Sequence, residues 1–248
     1  MNNVYLIVGG GYHAFARNTR ALTLDELESK LPDLSEDDVI LAGQGLTHAE
    51  RAKLRQVLSE RRSSPKLLYC DEACAPACTH KHTVDNVVIG TLERTAQRTY
   101  SCILLADTRA DRLFDHITGQ HLNGMLLIEA ARQAGIAAIE SEFVAAPGEK
   151  KWSLAWSRCD TRFFTYAFPV PTTLTVSFPK TDGVDTGQVP LEFPVQIAQG
   201  GALVCEIRME VTLLEASLAE RLEGRRARDV VSAILARCKD AARTAQSA

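Results

Sequence analysis

The chain has 248 residues, 46% hydrophobic and 24% charged, and a formal charge of −3 at neutral pH. A chain of this length and apolar content buries a substantial core as one or two domains. Its charge argues against a nucleic-acid partner, because the basic clusters at Arg61-Arg62 and at residues 224–228 are short and neighbour Glu60, Glu223 and Asp229, the pattern of a solvated face.

From the start of the chain, residues 4–8 read as a short buried strand ending in Gly9-Gly10-Gly11. No positive residue precedes that apolar run, which is not how a secretory leader begins, and seven cysteines form an odd number; reduced thiols and a cytoplasmic location are expected. Thr23 and Glu26 form a capping box that opens a helix stopping before Pro32. Residues 39–42 read as a second strand, closed by Gly43-Gln44-Gly45. Thr47 and Glu50 form another capping box for a helix through Leu54, Val57 and Leu58, and residues 66–70 read as a third strand. The order predicts a small α/β unit with parallel strands over residues 1–75. Gly9, Gly11 and Ala14 formally satisfy a dinucleotide-binding fingerprint. The box at Thr23, however, puts the main helix well after the glycines, whereas pyrophosphate binding needs the helix to start on them. A plain turn is the better reading, and no cofactor is expected.

Residues 70–82 carry Cys70, Cys74, Cys78, His80 and His82. Thiolate and imidazole suit zinc, but the spacing lacks the paired Cys-x2-Cys knuckle and a distant second pair, so a connecting segment with reduced thiols is preferred and no metal is expected. Residues 83–89 and 99–106 read as strands. From Gly124 to Glu140 the chain is apolar at almost every position, broken by Glu129, Arg132 and Gln133. A helix apolar around its whole circumference wants protein on every side, and this run is too short and interrupted for a membrane span. It reads as a core helix wrapped by sheet. Residues 152–156, 174–178, 193–198 and 202–214 follow as strands, the last two as a hairpin about Gly200-Gly201. Residues 229–248 show helical spacing of Val230, Val231, Ile234, Leu235 and Cys238.

Phe114, Asp115, His116, His121, Gly124, Met125, Leu126, Leu127, Glu129, Ala130, Ala131, Arg132, Gln133 and Ala134 together resemble the central motif of the A-factor biosynthesis hotdog family. Here one extra residue lies between the histidines, Gln120 stands for the family's Asp and Asn123 for its Pro. His80-Lys81 resembles the family's basic pair ahead of its first strand, and Phe163, Tyr166 and Ala167 resemble a later segment. A weaker similarity links the same helix to hydroxyacyl-carrier-protein dehydratases. The resemblance implies an α+β hotdog fold over residues 76–220, preceded by the α/β unit and followed by a helix and tail at 221–248. It also implies a homodimer, since hotdog units pair through their sheets.

The resemblance further implies acyl-thioester chemistry: transfer of a β-ketoacyl group from acyl carrier protein or acyl-CoA to a small acceptor such as dihydroxyacetone phosphate, towards a γ-butyrolactone-type signal. Phosphopantetheine then enters only as the substrate's carrier. Dehydration of a 3-hydroxyacyl thioester, or thioester binding without turnover, are the alternatives. In an apolar helix Glu129 is expected to have a raised pKa and to act with His116 as acid and base. Amides near Gly124 and Met125 are placed to polarise a thioester carbonyl, and Arg132 to hold phosphate. Against these stand a Glu129–Arg132 ion pair serving only packing, and a His121 that orients the loop rather than contacting substrate.

Overall fold

The computed structural model of the chain describes residues 3–107, 119–143, 152–179 and 188–246. Its first part is a parallel sheet of β1 (Val4–Ile7), β2 (Val39–Ala42) and β3 (Lys66–Leu68), in that spatial order. Around it lie α1 (His13–Thr19), α2 (Leu24–Lys30) and α3 (His48–Ser59). Both capping boxes form: Glu26 Oε2 accepts from the Thr23 amide at 2.7 Å, and Glu50 Oε2 from that of Thr47 at 2.7 Å. Ile7, Leu27, Ile40, Leu46, Leu54 and Leu58 fill the core beneath these helices.

Helix α1 departs from the sequence reading, which placed the first helix after Thr23. It follows directly on a 3-10 turn at Gly10–Tyr12 and has no side-chain cap. Tertiary packing holds it instead: Phe15 stacks on Phe168 at 6.0 Å and its amide donates to Gly119 O at 3.2 Å. Gly9 permits a close backbone approach. A Cβ on Gly9 would lie 1.8 Å from Gly45 O, so the turns after β1 and β2 cross in direct backbone contact.

The larger part is an antiparallel sheet of six strands. In chain order they are β4 (Glu93–Ala96), β5 (Thr99–Ile103), β6 (Trp152–Phe163), β7 (Thr173–Ser177), β8 (Gln188–Gln199) and β9 (Ala202–Glu215), arranged β4-β5-β7-β8-β9-β6. Strand β8 alternates strictly, sending Val189, Leu191, Phe193, Val195 and Ile197 inward, and Ile207, Met209, Val211 and Leu213 of β9 join them. Against this face packs α4 (Gly124–Phe143), burying Leu126, Leu127, Ala130, Ala131, Ala134 and Ile136 among others. This is the helix-in-sheet architecture that the resemblance implies. Coverage is incomplete along one stripe, where Met125 is exposed and Ile128, Glu129 and Arg132 are half-buried.

Two boundaries differ from expectation. Residues 83–89 form no strand of the sheet; they hold a 3-10 turn at Val84–Asn86 and one isolated bridge from Ile89 to Leu104. Buried Gln133 explains this, since its Oε1 accepts from the Val88 amide at 3.0 Å and its Nε2 donates to Asn86 O at 2.8 Å, satisfying backbone that a neighbouring strand would otherwise pair. The last helix, α5 (Ala216–Gln246), begins thirteen residues before residue 229, directly after β9. Residues 216–228 are rich in helix formers but lack an apolar period.

Gln44 clasps the two sheets together. It is 1% exposed, its amide donates to Pro169 O at 3.0 Å, its Oε1 accepts from Ala106 N at 2.9 Å and its Nε2 donates to Val170 O at 3.3 Å. His48 adds a backbone bond to Asp107 Oδ2 at 3.0 Å. Val8, Tyr12, Phe15 and Ala16 accordingly belong to the same core as α4. Replacing Gln44 by Ala leaves the buried Ala106 amide without its partner, while the Val170 carbonyl keeps its bond from Thr172 Oγ1, at a cost of about 1–3 kcal/mol. The expected outcome is a lower urea midpoint with an unchanged far-ultraviolet spectrum.

Candidate functional site

Helix α4 starts at a cleft of about 540 Å³ lined chiefly by apolar groups: Leu122, Gly124, Leu127, Phe163, Phe164 and Ala167, with His121, Thr165 and Tyr166 on its polar side. Asn123 caps the helix, its Oδ1 accepting from the Met125 amide at 2.9 Å. The residue that replaces the family's proline therefore has a local role. That bond takes the Met125 amide, and the Met125 side chain is 59% exposed outside the cleft. The Gly124 amide has no protein acceptor among the described residues. A Cβ there would lie 3.0 Å from the Phe163 ring, so a larger residue would push that half-exposed ring aside by a few tenths of an ångström. The His121 ring lies 5.0 Å from that of Tyr166. His116 lies outside the described residues.

Glu129 does not line this cleft. Its carboxylate is gripped by a fork from Arg132, with Nε to Oε2 at 2.7 Å and Nη2 to Oε1 at 2.8 Å. Lys81 Nζ approaches Oε1 at 2.7 Å and Gln133 Nε2 donates to the same oxygen at 2.8 Å. Burial raises the pKa of this group, as expected from the sequence. The bonds from Arg132, Gln133 and Lys81, with the charge of Arg132, outweigh burial and hold it at about 2. The expected raised pKa is therefore corrected: Glu129 is an ionised hub near neutral pH. One residue before Lys81, His80 Nε2 meets Glu140 Oε1 at 2.7 Å, so the His-Lys pair clamps α4 at two carboxylates.

Arg132 faces a second cleft of about 540 Å³, with His80, Trp152, Trp156, Glu220 and Glu223 among its lining residues. The structure thus brings His121 to Gly124, and Glu129 to Arg132, five to eight residues and about 8–12 Å further along the helix. Lys81 and Gln133 were missed as partners of Glu129, although Gln133 stands one helical turn after it. Tyr166 and Phe163 were visible only through the family-like segment that contains them. Among the described residues no three of His, Cys, Asp or Glu are placed to hold a metal. Burial pushes the Cys74 thiol up to about 11. No helix among the described residues is long and apolar enough to cross a membrane.

Residues 70–215 match the A-factor biosynthesis hotdog domain (AfsA). No curated protein matches the chain. Similar solved structures include a putative thioesterase from Shewanella oneidensis, at 9% identity over 50% of this chain and 82% of that one, with a TM-score of 0.40. A hot-dog-like protein from Thermanaerovibrio acidaminovorans shows 13% identity over 56% of this chain and 91% of its own, with a TM-score of 0.39.

Because the folded pKa of Glu129 is depressed, its contribution to stability is present above the ordinary value of 4.5 and is lost as pH falls towards about 2. The difference corresponds to about 3 kcal/mol. Chemical denaturation of the native protein and of Glu129→Gln at several pH values is expected to show that increment lost across this window in the former only.

Proposed function

The chain belongs to the A-factor biosynthesis hotdog domain family, and on that premise we propose that it transfers a β-ketoacyl group from an acyl thioester to a small hydroxylated acceptor of the dihydroxyacetone phosphate type. The observation that carries this reading is the apolar cleft at the start of α4, lined by Gly124, whose amide has no acceptor among the described residues, and by His121. Acyl chain and thioester fit such a cleft, with the carbonyl oxygen at the Gly124 amide, where the helix N-terminus favours developing negative charge.

His121 takes the proton of the acceptor hydroxyl as its oxygen attacks the thioester carbon. The tetrahedral intermediate then expels the thiolate, which the imidazolium protonates, so an ester and a free thiol leave together. His116 is retained from the sequence reading as a second candidate for this proton. Arg132 offers its guanidinium to a phosphate on acceptor or carrier, in a cleft that Glu220 and Glu223 also line. In this reading Glu129 positions that cation. Dehydration of a 3-hydroxyacyl thioester is less favoured, because it calls for a protonated acid and Glu129 is ionised.

A homodimer completes the proposal. Strand β6 is a sheet edge of twelve residues, and beside it Phe163, Phe164 and Tyr166 are exposed around the cleft. Unpaired edges and exposed aromatic groups of this kind are ordinarily covered.

Incubating the protein with a β-ketoacyl carrier-protein thioester and dihydroxyacetone phosphate is expected to yield a new phosphorylated ester by mass spectrometry. His121→Ala should lower kcat/KM by about 10²-fold or more, whereas Glu129→Gln should act mainly through KM for the acceptor. Thioester bound but never consumed would replace this reading with a binding module, and a mass loss of one water from a 3-hydroxyacyl substrate would replace it with dehydration.

A further inference from the structure

Helix α5 rises from the end of β9, crosses the edge strand β6 beside Trp152 and Trp156, and past Glu223 stands clear of the body, exposed through Cys238 apart from half-buried Gly224. It meets the body with Ala216, Ala219, Glu220 and Glu223, which line the Arg132 cleft. At about 100° per residue, Ile234 follows Ala216 by about five whole turns and so stands at the same azimuth, with Ala227, Val230, Val231 and Cys238 around it. The side that touches the body therefore continues as an apolar stripe, on which Val230, Val231, Ile234 and Leu235 are 50–56% exposed. Arg221, Arg225 and Arg228 take the opposite side. A second bare surface lies on β6. Its pairing with Val211, Met209, Ile207 and Cys205 of β9 turns Trp156, Cys159, Thr161 and Phe163 towards the α4 layer. Those four β9 residues are buried, whereas Trp156, Cys159 and Phe163 are exposed, so the cover that α4 gives β9 ends before β6.

We propose that these two surfaces cover each other in an exchanged-arm dimer: with two copies paired edge to edge through β6, the apolar stripe of each α5 lies over the partner's β6 and closes the partner's apolar cleft beside Phe163. The inference rests on the homodimer offered above and gives each cleft a wall from the other copy. Two-fold pairing that keeps both inner faces on one side of the sheet is antiparallel, so the Trp152 end of one β6 meets the Phe163 end of the other. Each α5 leaves its own body at the Trp152 end and thus departs towards the partner's Phe163 end. Val230 to Leu235 stand about 10–18 Å beyond Glu223, roughly two to four strand spacings. One copy supplies the bare helix stripe and the other the bare strand face, and symmetry repeats the contact, as a self-complementary interface requires. A bilayer fits poorly. The stripe faces the same side as the residues that touch the body, so a membrane laid against it would run into the protein.

Two native thiols report on the two surfaces, Cys238 on the stripe and Cys159 on β6, and both are exposed on the single chain. The test combines sedimentation of the full chain and of Ile234→Asp/Leu235→Asp with iodoacetamide labelling of these cysteines, read by peptide mass spectrometry. Both substituted side chains are exposed, so the variant should fold as the native chain does. We expect a native dimer in which Cys159 and Cys238 react about tenfold or more slowly than after dilution to monomer. In the variant we expect a dimer dissociation constant raised about tenfold or more, with both thiols labelled rapidly at the same concentration. A native dimer whose two cysteines label as fast as in the monomer, or which the double change leaves intact, overturns the exchanged arm and leaves the homodimer standing. A native chain that remains monomeric overturns the homodimer and the arm with it. Binding of a monomer to phosphatidylserine vesicles that the double change abolishes also overturns the arm, in favour of a bilayer. The thioester reading is separate from all of these outcomes, because neither sedimentation nor labelling involves a substrate.

Discussion

The ionised carboxylate of Glu129 is the point on which the rest of the site depends. A charge on an otherwise apolar helix is tolerable only with near-complete compensation, and removing one partner from such a group typically costs more than the pair contributes. Here compensation comes from three directions: Arg132 along the helix, Gln133 one turn on, and Lys81 from the segment that precedes the sheet. The network therefore fixes where that segment lies. Gln133 extends it by binding the backbone at Asn86 and Val88, so a single turn of α4 fixes residues 81–88, which precede it by more than forty positions.

The same economy appears at the junction of the two sheets. Gln44 satisfies a donor and an acceptor on the larger domain from one buried side chain, and the paired glycine turns let backbone meet backbone. Such contacts are short-range and directional. They make the parallel unit part of the same folding body as the hotdog core, consistent with α1 lending Phe15 and Ala16 to that core.

Much of this was legible in the sequence. The two capping boxes, the parallel strands and the alternation of β8 and β9 rest on local rules that the structure obeys. What escaped is governed by distant partners. Helix α1 has no cap and exists because Phe15 reaches Phe168; residues 83–89 carry strand-like residues whose hydrogen bonds are taken by Gln133. The pKa of Glu129 was misjudged for the same reason. Burial follows from helix composition, but the cations that overrule it come from side-chain geometry, and Lys81 is forty-eight residues away. The cleft residues His121 and Gly124 were legible as a motif, whereas the aromatic wall from Phe163 to Tyr166 comes from the end of β6 and the residues after it, some forty positions on.

Strand β9 passes into α5 without a connecting loop, Glu215 ending one and Ala216 opening the other. The azimuth of the helix is consequently geared to the pairing of β9 with β6, where Glu215 faces Trp152. Inserting one residue at that junction would turn every side chain of α5 by about 100° about its axis while leaving the sheet in register. Length at this single point thus sets the compass bearing of the whole helical arm, and a change there would re-aim its surface without altering a residue upon it.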